Sequence, residues 1–268
     1  MPAETATTDE RFARALAYER RVHEQTSLRV EGLRYGCAFL DERLPRVYWA
    51  NMLWVTAPDG VGAAELIADA DRLLSGLAHR QLVVEQESLW RTLEDDLAAA
   101  GLERDAIVFM VHERPPDRMP DLAAVREVGH DDLQASEERF LHVERGTTDP
   151  VARTQVMQHR RDVGKLLDER CFVTYAGDEV SAYAKLRHRD GIAQVEDVAV
   201  LPEHRGGGLG RLVTSAALAA GLALEPELLF IVADDEDWPK ELYGRLGFEP
   251  VGRIHGYLRP PPEAAAAG

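Results

Sequence analysis

The stretch Val195 to Gly210, VEDVAVLPEHRGGGLG, constrains this chain more than any other. Val195, Val198 and Val200 read as a strand, Pro202 ends it, four glycines follow, and a long Ala/Leu helix opens at Arg211. A strand that feeds a glycine turn and a helix N-terminus gathers backbone N–H groups at one place, which suits a phosphorylated ligand. Two nucleotide-binding readings of such a turn fail here. No Gly-Lys-Ser/Thr ending supplies a lysine for a γ-phosphate, and the glycines sit late in the chain, with no acidic residue placed for a ribose as in a dinucleotide fold.

The rest of the chain alternates strands and helices. A helix with an exposed polar face is expected over Glu10–Glu24, and strands over Val30–Phe39 and Val47–Thr56. Ala63–Gly76 and Leu89–Ala100 read as helices, Gln81–Glu85 and Ala106–His112 as strands. Three prolines among charges in ERPPDRMPD, Glu113–Asp121, mark a linker. A strand over Leu122–Val128 comes next, then helices over His130–Arg145 and Val151–Leu167. A hairpin turns at Gly177-Asp178 between Phe172–Ala176 and Glu179–Arg187, and Ile192–Val200 forms another strand. After the glycine turn come a helix to Leu222, a strand over Leu228–Val232, a helix over Pro239–Leu246 and a strand over Val251–Leu258. Residues 1–10 read as frayed and residues 260–268 as a disordered tail. The series from Trp49 to Val111 echoes that from Val195 to Leu258. At the matching place the first half has Ala57-Pro58-Asp59-Gly60-Val61-Gly62, with two glycines, no arginine and an acidic approach.

Downstream of the glycine turn, one strand further on, stands Leu242-Tyr243-Gly244-Arg245-Leu246-Gly247-Phe248. Together with Val198–Gly210, in that order, this motif resembles the GNAT superfamily of acyl-CoA-dependent N-acyltransferases. The likeness covers about residues 122–258, and the first half is similar to the degenerate N-terminal half of tandem members. The expected fold is therefore a mixed α/β sheet built as two GNAT-like domains. Residues 1–115 form the degenerate one, 116–121 the linker and 122–259 the catalytic domain with a splayed central sheet.

The resemblance implies a binding site for acetyl-CoA as acyl donor. The amides of Gly206, Gly207, Gly208, Leu209 and Gly210 would hold the pyrophosphate, with Arg205 and Arg211 at the rim, and the backbone of Val198, Ala199 and Val200 would pair with the pantetheine arm. Acyl transfer to an amine needs that amine neutral and the departing thiolate protonated. Glu196 is the candidate base, directly or through a water. Asp197 points the other way on a regular strand, and a bulge would exchange the two. Tyr243 holds the family position of the general acid beside the sulfur. Asp237 is the expected cap of the helix that Pro239 opens. The acceptor is a small-molecule or peptide amine. A mycothiol-synthase-like enzyme and a non-catalytic acyl-CoA sensor are the alternatives.

Composition narrows the partners. A net charge of −16 over 268 residues disfavours nucleic acid and anionic membrane. No apolar run reaches membrane-spanning length, and the opening residues are polar, so a cytoplasmic protein, monomeric or homodimeric, is expected. Nine histidines without ligand spacing, and two distant cysteines, Cys37 and Cys171, point to no metal site and no disulfide. His204 reads as a surface imidazole, and Trp49, Trp54 and Trp90 as core residues.

Overall fold

The computed structural model describes residues 6–56, 60–144 and 147–262. In chain order the elements are α1 (Thr8–Thr26), β1 (Arg29–Leu33), β2 (Gly36–Leu40), β3 (Met52–Val55), α2 (Ala63–Leu73), β4 (Arg80–Val84), α3 (Glu87–Ala99) and β5 (Glu103–His112). They continue with β6 (Arg126–Val128), α4 (His130–Glu144), α5 (Pro150–Leu166), β7 (Arg170–Ala176), β8 (Glu179–Arg189), β9 (Ile192–Val200), α6 (Leu209–Leu222), β10 (Leu228–Asp234), α7 (Pro239–Arg245) and β11 (Phe248–Arg259). Among the described residues no helix is long and apolar enough to cross a membrane.

The chain divides into two compact units. The first takes the N-terminal residues up to Glu19, then Phe109–Ala233 and Asp237–Gly252. The second takes Arg20–Val108, Asp234–Glu236 and the residues from Arg253 onward. Strands β5 and β11 thus contribute to both. Compactness draws its lines near residues 19, 108 and 252, whereas a linker at 116–121 is a proposal about order along the chain.

The first unit is built on β6, β7, β8, β9 and β10, hydrogen-bonded in that order. Every pair is antiparallel except β9–β10, which is parallel and bridged by α6. Gly221 lets α6 sit down on the sheet: a Cβ there would press on Leu229 and Leu186. Leu133, Phe140, Cys171, Val173, Val180, Tyr183 and Leu201 bury one side together.

The second unit runs β1, β2, β3, β4, β11, with β3–β4 the parallel pair and α2 its crossover. Its core gathers Tyr35, Leu53, Leu66, Leu82, Leu93 and Tyr257 among others.

Several expectations need correction. Val30–Phe39 is a hairpin: Leu33 pairs with Gly36 around Arg34-Tyr35, and the buried Tyr35 makes the turn look like strand. Of Val47–Thr56 only Met52–Val55 is strand. Residues Tyr48–Ala50 wind into a 3-10 turn held by the buried Asn51, whose side chain donates to the carbonyls of Leu44 and Val47. Leu122–Val128 keeps only its last three residues as strand. Helix α1 is half buried through Ala15, Leu16, Tyr18 and Val22, and it is helical from Thr8, so residues 8–10 are not frayed. Trp49 is 39% exposed and no core residue. The cap of α7 is Trp238, with Asp237 Oδ1 accepting from the Trp238 N–H at 2.7 Å. The expected fraying at residues 1–5, the tail expected over 263–268 and residues 57–59 of the first half's turn lie outside the described residues.

Candidate functional site

The two parallel crossovers differ where it matters. In the second unit the β3–β4 ladder runs to its end: Val55 opposes Val84, and the next amide, Glu85 N–H, donates to Val55 O at 3.1 Å. In the first unit the β9–β10 ladder stops at Val195 opposite Ile231, although β9 continues to Val200. Among the described residues, 196–200 therefore pair only with β8, and their other edge carries no strand. Such an edge is a template for an extended partner. Val198, Ala199 and Val200 are half-buried along it.

Beyond Val200 a 3-10 turn over Pro202–His204 leads into the glycines. Gly206 at φ +80° and Gly208 at φ +79° take the left-handed conformation that other residues adopt only with strain, and a Cβ on either would stand in open space. Their role is therefore backbone direction and clearance. Gly208 occupies the N-cap of α6 without a capping side chain, and the first helical bond runs from Leu212 N–H to Gly208 O. The amides of Leu209, Gly210 and Arg211 precede that bond, at the positive end of the helix dipole. Gly210 lets the helix approach the strand, since a Cβ there would meet Val200 Cγ2 at 3.4 Å.

Arg205 is exposed and donates from Nε to Val200 O at 3.3 Å. Arg211 is largely buried and ion-paired with Asp117. Beside it lies a concavity of about 470 Å³ lined by Asp117, Arg118, Arg211, Leu242 and Arg245. Three guanidiniums against one carboxylate favour an anion there. Arg118 and Arg245 were invisible as site residues in the sequence, because one sits in the proline-rich segment and the other inside a family motif.

Strand β9 carries a bulge. Its register with β8 shifts between Tyr183 and Lys185, so that Lys185 faces Glu196 while Tyr183 faces Ala199, and Asp197 takes φ +50°. The bulge gives two adjacent acids different surroundings. Asp197 meets Arg160 at 2.9 Å and Lys185 at 3.2 Å. Burial alone would raise its carboxyl, but Arg160, Lys185 and Arg187 outweigh that and hold it far below the usual carboxylate range. Glu196 accepts from Gln194 Nε2 at 2.7 Å and stands 4.0 Å from Arg187. Burial raises its carboxyl against Arg187, helped by the like charge of Asp197.

Around the bulge is a charge network that sequence reading missed. Lys185 has no exposed surface; its ammonium lies 2.6 Å from Glu137 and 3.4 Å from Glu169. Arg160 reaches Glu137 at 3.1 Å, and Arg187 donates to Glu169 at 2.8 Å. The available signal was the i, i+2 series Tyr183, Lys185, Arg187, which sets a hydroxyl and two cations on one strand face. His130, Glu169 and Cys171 also lie within 4.8 Å of one another. Lys185 and Arg187 already hold Glu169, leaving its carboxylate no free charge for a metal ion, and burial pushes the Cys171 thiol up to about 12.

Tyr243 is buried on α7, edge-on to Phe248 at 6.5 Å between ring centroids. Burial first, then the field of Glu196, raises its hydroxyl above the ordinary tyrosine value. Glu196 and Tyr243, far apart in the chain, are electrostatic neighbours here.

Comparison with known proteins gives the arrangement its relatives. Residues 167–250 match the family described as acetyltransferase (GNAT) domain. No curated protein matches the chain. Among solved structures, a GCN5-related N-acetyltransferase from Kribbella flavida is 18% identical, with a TM-score of 0.57 over 95% of this chain and 97% of that one. A functionally unknown conserved protein from Staphylococcus epidermidis is 17% identical, with a TM-score of 0.65 over 85% of this chain and 91% of its own. A tandem GNAT protein from the clavulanic acid biosynthesis pathway is 22% identical, with a TM-score of 0.50 over 73% and 68%. At these identities the structures share the fold.

Proposed function

We propose that the protein, whose residues 167–250 match the GNAT acetyltransferase domain, is an acetyl-CoA-dependent N-acetyltransferase in which a primary amine attacks the thioester directly within a ternary complex. The observation that carries this reading is the unpaired edge of residues 196–200, lying directly before the glycine turn. The closed β3–β4 ladder is the reason to assign the chemistry to the C-terminal domain and to regard the N-terminal half as a degenerate GNAT-like partner.

In this reading the acyl donor supplies an activated thioester. The edge of Val198, Ala199 and Val200 pairs with the extended pantetheine arm, and one amide of that edge polarises the thioester carbonyl. The amides of Gly206–Gly210 and the α6 dipole hold the pyrophosphate, with Arg205 at its rim. Arg118, Arg211 and Arg245 suit the remaining phosphate of the nucleotide. Glu196, with its raised carboxyl, takes a proton from the acceptor amine; Asp197, locked by three cations, is the poorer base. Tyr243, kept protonated by burial, protonates the departing sulfur. GNAT acetyltransferases act on small-molecule or peptide amines, and the acceptor belongs to one of those classes.

The test is to follow free thiol release from acetyl-CoA with a panel of primary amines. Turnover with at least one amine, lost in Tyr243→Phe, is expected. Tight CoA binding with no turnover on any amine would favour a sensor instead.

A further inference from the structure

Helix α1 brings a second carboxylate to Glu196. Gln194 and Glu196 stand two residues apart and share a face of β9. The Gln194 amide Nε2 donates to Glu196 Oε2 at 2.7 Å and to Glu19 Oε1 at 2.5 Å, so two acidic oxygens converge on one nitrogen. The helix is pinned at this point. Phe230 opposes Gln194 across the β9–β10 ladder, and the ring of Tyr18 packs edge-on against Phe230 at 5.7 Å.

Local charge does not balance. Arg187 is the cation that Glu19 and Glu196 share, and Glu169 holds it closer, at 2.8 Å. Arg160 is taken by Glu137 and Asp197, and Arg189 donates to the Leu166 carbonyl. An independent observation points to a ligand. Tyr18 is 6% exposed, and its hydroxyl is buried without a hydrogen-bond partner in the field of Glu19, Arg187 and Glu196. Two carboxylates and an unused hydroxyl oxygen offer three acceptors, the number of N–H groups on a primary ammonium.

We infer that Glu19, Glu196 and Tyr18 form the acceptor subsite and that it takes a primary alkylammonium, disfavouring amines that carry an adjacent carboxylate. The inference rests on the acetyltransferase reading and adds the substrate class. The ammonium gives one proton to Glu196 and becomes a neutral amine. Its lone pair forms the C–N bond at the thioester carbonyl, the C–S bond breaks, and the sulfur leaves with the Tyr243 proton. The amide nitrogen loses its second proton to restore the tyrosine, and Glu196 releases the first to solvent. Glu19 stays a binding group throughout.

The experiment uses n-butylamine and its carboxylate-bearing analogue norvaline as probes. Binding is read by NMR line broadening without acetyl-CoA, and transfer by thiol release with it. Glu19→Gln should weaken n-butylammonium binding and raise its KM by about tenfold, with kcat and CoA affinity little changed. The wild-type preference for n-butylamine over norvaline should shrink in the same variant. Glu19→Ala, with CoA affinity as the check on folding, should behave alike. Unchanged amine binding in both variants, or no binding of n-butylamine to the wild type, overturns the inference. Glu19-dependent binding without any acetyl transfer would instead overturn the enzymatic reading and leave the subsite standing.

Discussion

Lys185 Nζ lies 2.6 Å from Glu137 Oε1 and 3.2 Å from Asp197 Oδ2, with no surface of its own exposed. Burial opposes its charge, and Asp197, Glu169 and Glu137 overcome that, so the ammonium stays protonated above its ordinary range. Lys185→Met leaves those acids buried without their shared cation, a change that typically destabilises by about 3–5 kcal/mol. Denaturant unfolding should show that loss. Adding Glu137→Met should recover part of it, because the pair is removed together. A loss near zero would mean the network is solvated.

Gly208 holds the turn at φ +79°, where a β-branched residue is strained and its side chain enters the open space before α6. Gly208→Val should weaken CoA binding by about tenfold or more, read by calorimetry. Unchanged affinity would remove the pyrophosphate from this turn.

In the proposed mechanism Glu196 and Tyr243 divide the pH dependence between them. The base must be ionised, so kcat/KM should rise with pH through a pKa above the usual glutamate value, and Glu196→Gln should lose that limb. Tyr243 must keep its proton. Because its hydroxyl is raised, no fall attributable to it is expected below pH 10, and Tyr243→Phe should lower kcat by about a hundredfold with CoA affinity intact.

Glu19 links stability to pH. Burial and the charge of Glu196 raise its carboxyl to about 7 from an ordinary 4.5. The folded state therefore binds this proton more tightly than the unfolded chain, and the contribution of Glu19 to stability falls as pH rises from 4.5 to 7. Glu19→Gln lacks that loss. The melting temperature of the variant minus that of the wild type should climb across this window and level off above it, by about 2–4 °C for each kcal/mol involved. A flat difference would show that Glu19 titrates as an exposed carboxylate.

Much of this site is readable from residue order because its signals are local. The glycines at 206, 208 and 210, the proline that opens α7 and the valines of β9 each act within a few positions of themselves. The alternative of a bulge at Glu196-Asp197 is likewise visible as a question about alternation, and the register with β8 answers it. The charge network is not readable in that way. Lys185 declares an unusual strand residue, but its partners come from α4, the turn before β7, and β9, and no spacing links them. Glu19 is hidden more deeply. On its own helix it is one acid among many, and its bond to Gln194 comes from the packing of α1, through Tyr18 on Phe230 and Phe12 on Phe109. The turn at Arg34-Tyr35 hides for the opposite reason, since an aromatic residue there fills the core.

The last strand has a consequence for how the chain is made. The C-terminal part of β11 pairs with β4, setting Tyr257 opposite Leu82 inside the core of the second unit. A nascent chain emerges with β4 early and with Tyr257 long afterwards. Until the later segment leaves the ribosome, the segment Arg80–Val84 presents an unpaired strand edge rich in branched residues, the kind of surface that seeks wrong partners. The early strands of the second unit are thus closed only by the last strand of the chain.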